Sequence, residues 1–222
     1  MSARLDAAFR GQRLKLAGIV QGATVRAWMR ERHNRDAAIE AALQVVHAGQ
    51  ARTVELVDAY MALKVGGDPK GLPAGRFTVE ALRGLPAAEV YDRPYGALGA
   101  QLAGGAEFST ALSSAQASVS KLAGTDLQLA QTHAAREWMA DDDRVFGYRR
   151  VLGGSHNCPL CSAASTRIYY RADLMPIHEN CHCTVAPLIG EHPGGLSVPD
   201  EAVRVTNDPE IGPRLLADGW AA

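Results

Sequence analysis

Apolar residues in the first two-thirds of the chain recur every three to four positions. Ile39, Leu43, Val46, Val54, Val57 and Met61 follow this step, with Gln50 standing in one apolar place. The spacing predicts one amphipathic helix from about residue 36 to residue 64. Asp36 reads as its N-cap, and Gly66 with Gly67 as its stop. Upstream, Leu5 and Phe9 mark one helix and Val25, Trp28 and Met29 another, with Gly11, Gly18 and Gly22 interrupting between them.

The stretch GGDPKGLPAG (66–75) reads as a loop from its glycines and prolines. Leu98 and Leu102 then form a turn pair, and Phe108, Leu112, Val119 and Leu122 continue the helical period, with Gly104 and Gly105 separating two helices. Thr125 or Asp126 reads as the cap of a further helix carrying Leu127, Ala130, Ala134 and Trp138. Asp141, Asp142 and Asp143 oppose a helix C-terminal dipole, so this acidic run is expected beyond the helix end. After it the period changes from helical to alternating. VFGYRRVL (145–152), TRIYY (166–170) and CTVAPL (183–188) read as three strands. From Gly190 onward, Gly and Pro recur every few residues, which predicts an extended tail. Trp28, Met29 and Trp138 read as core or partner-facing packing, and Trp220 either as an anchor of the tail in a partner groove or as part of a self-packed tail. The pattern as a whole predicts an α+β chain: a helical region over 1–143, a small β-rich module over 144–190 and an extended acidic tail over 191–222.

Composition narrows the function classes. The chain has 222 residues, 47% of them apolar and 21% charged, with a formal net charge of -1. The apolar content suffices for a core, and the near-neutral total disfavours a wholly basic nucleic-acid binder. The total conceals a net +4 over 1–65 and a net -4 over 184–222. Arg26, Arg30, Arg32 and Arg35 crowd one segment with His33, a stretch able to touch DNA phosphates without reading sequence, or to lie solvated on a helix face. No run approaches a membrane span, and the N-terminus lacks the apolar core of a secretory signal, so a cytosolic, reducing setting is expected.

All four cysteines lie between Cys158 and Cys183. Cys158 and Cys161 form one pair with a two-residue spacer, His178 and Cys181 a second, and Cys183 follows. Two such turns joined by a hairpin-sized segment can complete a tetrahedron around Zn²⁺. Cys158 and Cys161 are the firm members, while His178, Cys181 and Cys183 compete for two remaining places. On a strand Cys181 and Cys183 share a side, with His182 opposite. Four protein ligands leave no position for water, so the expected site is a structural clip. Two disulfides are disfavoured without an export signal, and a metal with an exchangeable water is the remaining reading. The zinc deaminase pattern fits poorly, because there H-x-E precedes the C-x-x-C.

These residues resemble the Mu F-like minor head protein domain of tailed bacteriophages. The matching positions are Cys158, Cys161, His178, Asn180, Cys181, Cys183, Thr184 and Pro187, and the stretch 125–157 resembles the segment that leads into this domain in phages of actinobacteria. The likeness covers roughly residues 125–188. One departure is SAASTRIYY (162–170), where many members carry a Leu-Asp-Gly-Lys-type turn. The resemblance implies a minor capsid component that associates with the portal protein inside the phage head and assists head assembly and DNA packaging or delivery. Major capsid or scaffold protein, and packaged DNA, are further implied contacts. The implied locations are the host cytoplasm during assembly and the virion interior near the portal.

Two enzymatic readings stand as alternatives. A capsid maturation protease would draw on Ser155, Ser162 or Ser165 with His156 or His182, but no G-x-S-x-G elbow singles out a nucleophile. A metal-dependent nuclease would use His178, Asn180 and His182, with Glu179 as base and His192 the one further downstream histidine. It competes for the same His178 that a closed clip can use.

Overall fold

A computed structural model of the chain describes residues 2–153, 159–170 and 183–190. Three long α-helices, three shorter ones, one 3₁₀ turn (Ala74–Phe77) and three strands lie in these residues. The helices are α1 (Ser2–Arg30), α2 (Arg35–Val65), α3 (Val79–Arg83), α4 (Ala87–Ala103), α5 (Phe108–Ala140) and α6 (Pro159–Ser165). The strands are β1 (Val145–Val151), β2 (Ile168–Tyr170) and β3 (Thr184–Ile189). The α+β class is as the periodicity predicts. Among the described residues no helix is long and apolar enough to cross a membrane.

α2 matches its expected span, and every residue of its predicted stripe is buried or half-buried, Gln50 included. Its cap is Asn34 rather than Asp36: the Asn34 side chain accepts from the Ala37 N–H at 3.2 Å. Asp36 lies inside the first turn, where its charge still favours the helix dipole. At the other end Gly66 takes a left-handed φ of 75°, and the N–H groups of Gly66 and Gly67 both return to the Ala62 carbonyl.

Two expected helix breaks are absent. α1 runs unbroken through Gly11, Gly18 and Gly22, and α5 runs unbroken through Thr125 and Asp126. Thr125 turns its hydroxyl back to the Lys121 carbonyl at 3.0 Å, as a mid-helix threonine does. The predicted separation at Gly104 and Gly105 holds, and the acidic run 141–143 falls after α5.

The chain forms two compact units that interleave along the sequence. Residues 12–55 and 73–131 build one. Its core joins Trp28 of α1, Ala38, Ile39, Ala42 and Val46 of α2, Val79 of α3, Ala87, Val90 and Tyr91 of α4, and Ala115, Val119 and Ala123 of α5. The alanines let helices approach closely while the aromatic rings fill the gaps. The other unit comprises residues 1–11, 56–72 and 132–222, and it holds the sheet. Here Phe9 stacks on Tyr60 with ring centroids 4.0 Å apart, and the Tyr60 hydroxyl donates to the buried Asp6 carboxylate at 2.9 Å. Asp58 ties down the 66–75 loop by accepting from the Lys70 and Gly71 N–H groups at 2.8 and 2.7 Å. It also accepts from the indole of the buried Trp138 at 2.9 Å.

The three strands have the order β2-β1-β3, with β1 antiparallel to both neighbours. β2 and β3 therefore run parallel to each other on either side of β1. The pairs Tyr148↔Tyr169 and Tyr148↔Pro187 fix the register across the sheet.

Candidate metal centre

α6 opens with Pro159, whose missing N–H costs nothing at a helix start. It ends where the Thr166 N–H returns to the Ala163 carbonyl at 3.3 Å. Pro159, Leu160 and Cys161 of the C-x-x-C therefore stand in a helical turn. Cys161 and Ala164, one turn apart, are both buried, so this is the inward face of α6. The Tyr169 hydroxyl donates to the Ala164 carbonyl at 2.9 Å and fastens α6 to β2. Burial pushes the Tyr169 hydroxyl above its ordinary range, while Arg150 and Arg167 pull it the other way. Tyr169 stacks on Tyr148 of β1 at 5.2 Å. α6 thus covers the sheet face that carries Tyr148 and Tyr169.

Cys183 lies on that same face. Val151 pairs with Thr184, so one further step of the register sets Cys183 opposite Leu152. Directly paired residues share a face, and side chains alternate along each strand. Leu152, Arg150 and Tyr148 therefore line one face, with Cys183, Val185 and Pro187 beside them. Cys183 is buried, like Cys161. The α6–β2 junction, the start of β3 and the end of β1 meet at one end of the sheet. Arg10 of α1 holds that end by donating to the Leu152 carbonyl at 2.9 Å.

Cys158, His178 and Cys181 lie outside the described residues, as do Ser155, His156, Glu179, Asn180, His182, His192 and Trp220. Among the described residues no group of three or more His, Cys, Asp or Glu stands together to hold a metal ion. The two described candidates are Cys161 on the inward face of α6 and Cys183 at the start of β3, and both are buried. Both are cysteines, the soft donor type that a zinc site takes.

The serines of the protease reading that are described, Ser162 and Ser165, both lie in α6. The Ser165 hydroxyl donates to the Ser162 carbonyl at 2.8 Å. The described histidines stand elsewhere: His33 in the turn between α1 and α2, His47 beside Glu80 at 3.3 Å and His133 on α5, where burial and Arg136 lower its imidazole. Within the arginine segment, Arg35 forms a two-pronged pair with Asp92. Arg32 donates to the Met29 carbonyl at 3.2 Å, and Arg30 stands 3.4 Å from Glu31. Trp28 and Trp138 are both core residues, fully enclosed.

Sequence reasoning missed the buried acid Asp126. It accepts from Arg83 at 2.6 Å and from the Tyr91 hydroxyl at 2.9 Å, joining α3, α4 and α5. An acid in a helix interior at an apolar-periodic place was the available signal. The chain matches no protein-family model, no curated protein and no solved structure.

Proposed function

We propose that the chain is a structural head-assembly protein of a tailed bacteriophage, of the Mu F-like minor capsid type, acting at the portal inside the head. The observation that supports this most is the coincidence of motif and fold. The C-x-x-C and H-x-N-C-x-C-T spacing lies on segments of which the described parts, α6 and the start of β3, converge on one sheet face. Cys158 and Cys161 hold zinc together with two of His178, Cys181 and Cys183. When bound, zinc supplies a crosslink between segments that a three-stranded sheet holds weakly by itself. The chain's own residues do the rest: Tyr169 fastens α6 to the sheet, and Arg10 fixes the strand end beside it. The helical part provides the surface for the portal. In this role the protein catalyses nothing.

The test is elemental analysis of the purified full chain with a pull-down against the portal encoded beside it. One zinc per chain with portal capture, and no cleavage of the major capsid protein, is the expected result. Cleavage of that protein would replace this reading with the maturation protease, and metal-dependent DNA hydrolysis would replace it with the nuclease.

A further inference from the structure

Between Arg93 and Lys121 the chain carries one charged residue, Glu107, although 21% of the whole is charged. These 27 residues are the end of α4, the turn after it and the first part of α5. A stretch so poor in charge suits a core, yet only Pro94, Ala111, Ala115 and Val119 in it are buried. Leu102, near the end of α4, is 37% exposed, and Phe108, which opens α5, is 58% exposed. Helix faces turned to water ordinarily carry charged side chains. Loss of charge together with exposed large apolar groups is the character of an interface centre.

The turn that presents these side chains is fixed. The N–H groups of Gly104, Gly105 and Ala106 return to the carbonyls of Ala100, Leu102 and Gln101, each at 3.0 Å. The Gln101 amide of α4 donates to the Ser114 hydroxyl of α5 at 3.0 Å. A patch held in this way loses little freedom on binding. Its relief combines projections and hollows. Leu102 and Phe108 project, while Gly96 and Gly99 inside α4 leave open space: a Cβ at either meets nothing within 4 Å among the described residues. Each of these glycines weakens the helix relative to alanine, and no packing contact among the described residues requires them.

Charge and shape point to a second copy of this chain as the occupant. A two-fold contact sets a patch against itself, so a charged patch would meet like charge. With Glu107 as its one charge this patch avoids that repulsion, and it offers DNA or a charged protein surface no counter-charges. Gly96, Gly99 and Leu102 step by three along one side of α4. An antiparallel crossing of two α4 helices centred on Gly99 therefore sets Leu102 of each copy over Gly96 of the other, projection into hollow. The 23 residues of the stretch that are exposed or half-buried match the about 20–30 a side of a standard interface. We propose that the α4–α5 tip is a homodimerisation surface, with Leu102 and Phe108 as its anchors. Most of its side chains are small, so the dimer is a micromolar one. Neither the sheet nor the zinc ligands enter into it.

The test is sedimentation equilibrium of the full chain over a concentration series, with circular dichroism on every variant. Wild type is expected to pass reversibly from monomer to dimer. Leu102→Glu with Phe108→Glu is expected to weaken association about 30-fold or more, as losing an interface anchor does. The matching double Lys variant is expected to be monomeric alone and to pair with the double Glu variant when the two are mixed, a result that loss of fold cannot imitate. Gly96→Leu fills the hollow and is expected to abolish the dimer while raising the melting point. Gly18→Ala, which lies outside the tip, is expected to leave the dimer intact. If double Glu loses helix, Gly96→Leu decides. A wild-type chain still monomeric at about 0.5 mM overturns the proposal. If that monomer also loses portal capture on double Glu substitution, the tip belongs to the portal instead. A dimer that both double Glu and Gly96→Leu leave at wild-type strength places the contact elsewhere and equally overturns the proposal.

Discussion

Thr184 carries a fully buried hydroxyl that meets no hydrogen-bond partner among the described residues. It alternates with Cys183 and so belongs to the other sheet face, away from the candidate ligands. An unmet buried hydroxyl costs about 1–3 kcal/mol. Thr184→Val, which keeps the shape, is expected to leave stability unchanged or raise it by about 1 kcal/mol, measured by urea unfolding. Asp126 is the opposite case. Burial raises its carboxyl, yet Arg83 and Tyr91 both donate to it. Asp126→Ala leaves a cation and a hydroxyl without their acceptor and is expected to cost about 3 kcal/mol. Asp142 is held down to about 2, first by the side-chain hydrogen bond from Arg144. A carboxyl lowered on folding stabilises the folded state above its unfolded value of 3.8, and that contribution is lost as pH falls toward 2. Arg144 is half exposed, so water screens the pair and the contribution is small. Asp142→Asn is expected to flatten the stability curve between about pH 4 and pH 2, read from acid-titrated denaturant melts. The amino-acid pattern announced none of these three roles, because each depends on partners from other parts of the fold or on local burial.

At the scale of elements, periodicity carried most of the information. The span of α2, the break at Gly104 and Gly105, and the cores of β1, β2 and β3 were all legible, because caps, glycines and alternation act over a few residues. The joined helices were not. Gly18 interrupts a helical pattern by propensity alone, a cost of about 1 kcal/mol that packing along a 29-residue helix outweighs. A Cβ at Gly18 meets nothing within 4 Å. Gly18→Ala is therefore expected to raise the melting point, worth about 0.5–1 kcal/mol. Gly147 gives the reverse result. A Cβ there would stand 2.4 Å from the Tyr169 carbonyl oxygen, a backbone atom that cannot move aside without parting β1 from β2. Gly147→Ala is expected to destabilise the sheet by about 2 kcal/mol or more. Hydrogen exchange slowed in wild-type β1 and fast in the variant would show it.

At the scale of the whole molecule, the sheet shares a compact unit with residues 1–11 and 56–72, so it packs with the start of α1 and the end of α2. Cys161→Ser is expected to abolish zinc uptake and disorder the strands while circular dichroism shows the long helices still formed; a variant that keeps its full metal content would count against the clip. The sequence names candidate ligands by spacing, grouping Cys158 with Cys161 and His178 with Cys181 and Cys183, of which the described residues include Cys161 and Cys183. Their surroundings were not legible in it. Helix period, strand alternation and cysteine spacing are local properties, set by backbone geometry over a few residues, and the sequence by itself determined those. Whether glycines in α1 break it, whether Asp126 is a cap or a buried anion, and which residues stand across from Arg150 depend on segments tens of residues away. Only the tertiary structure decided these, because burial and strand register are properties of the packed chain.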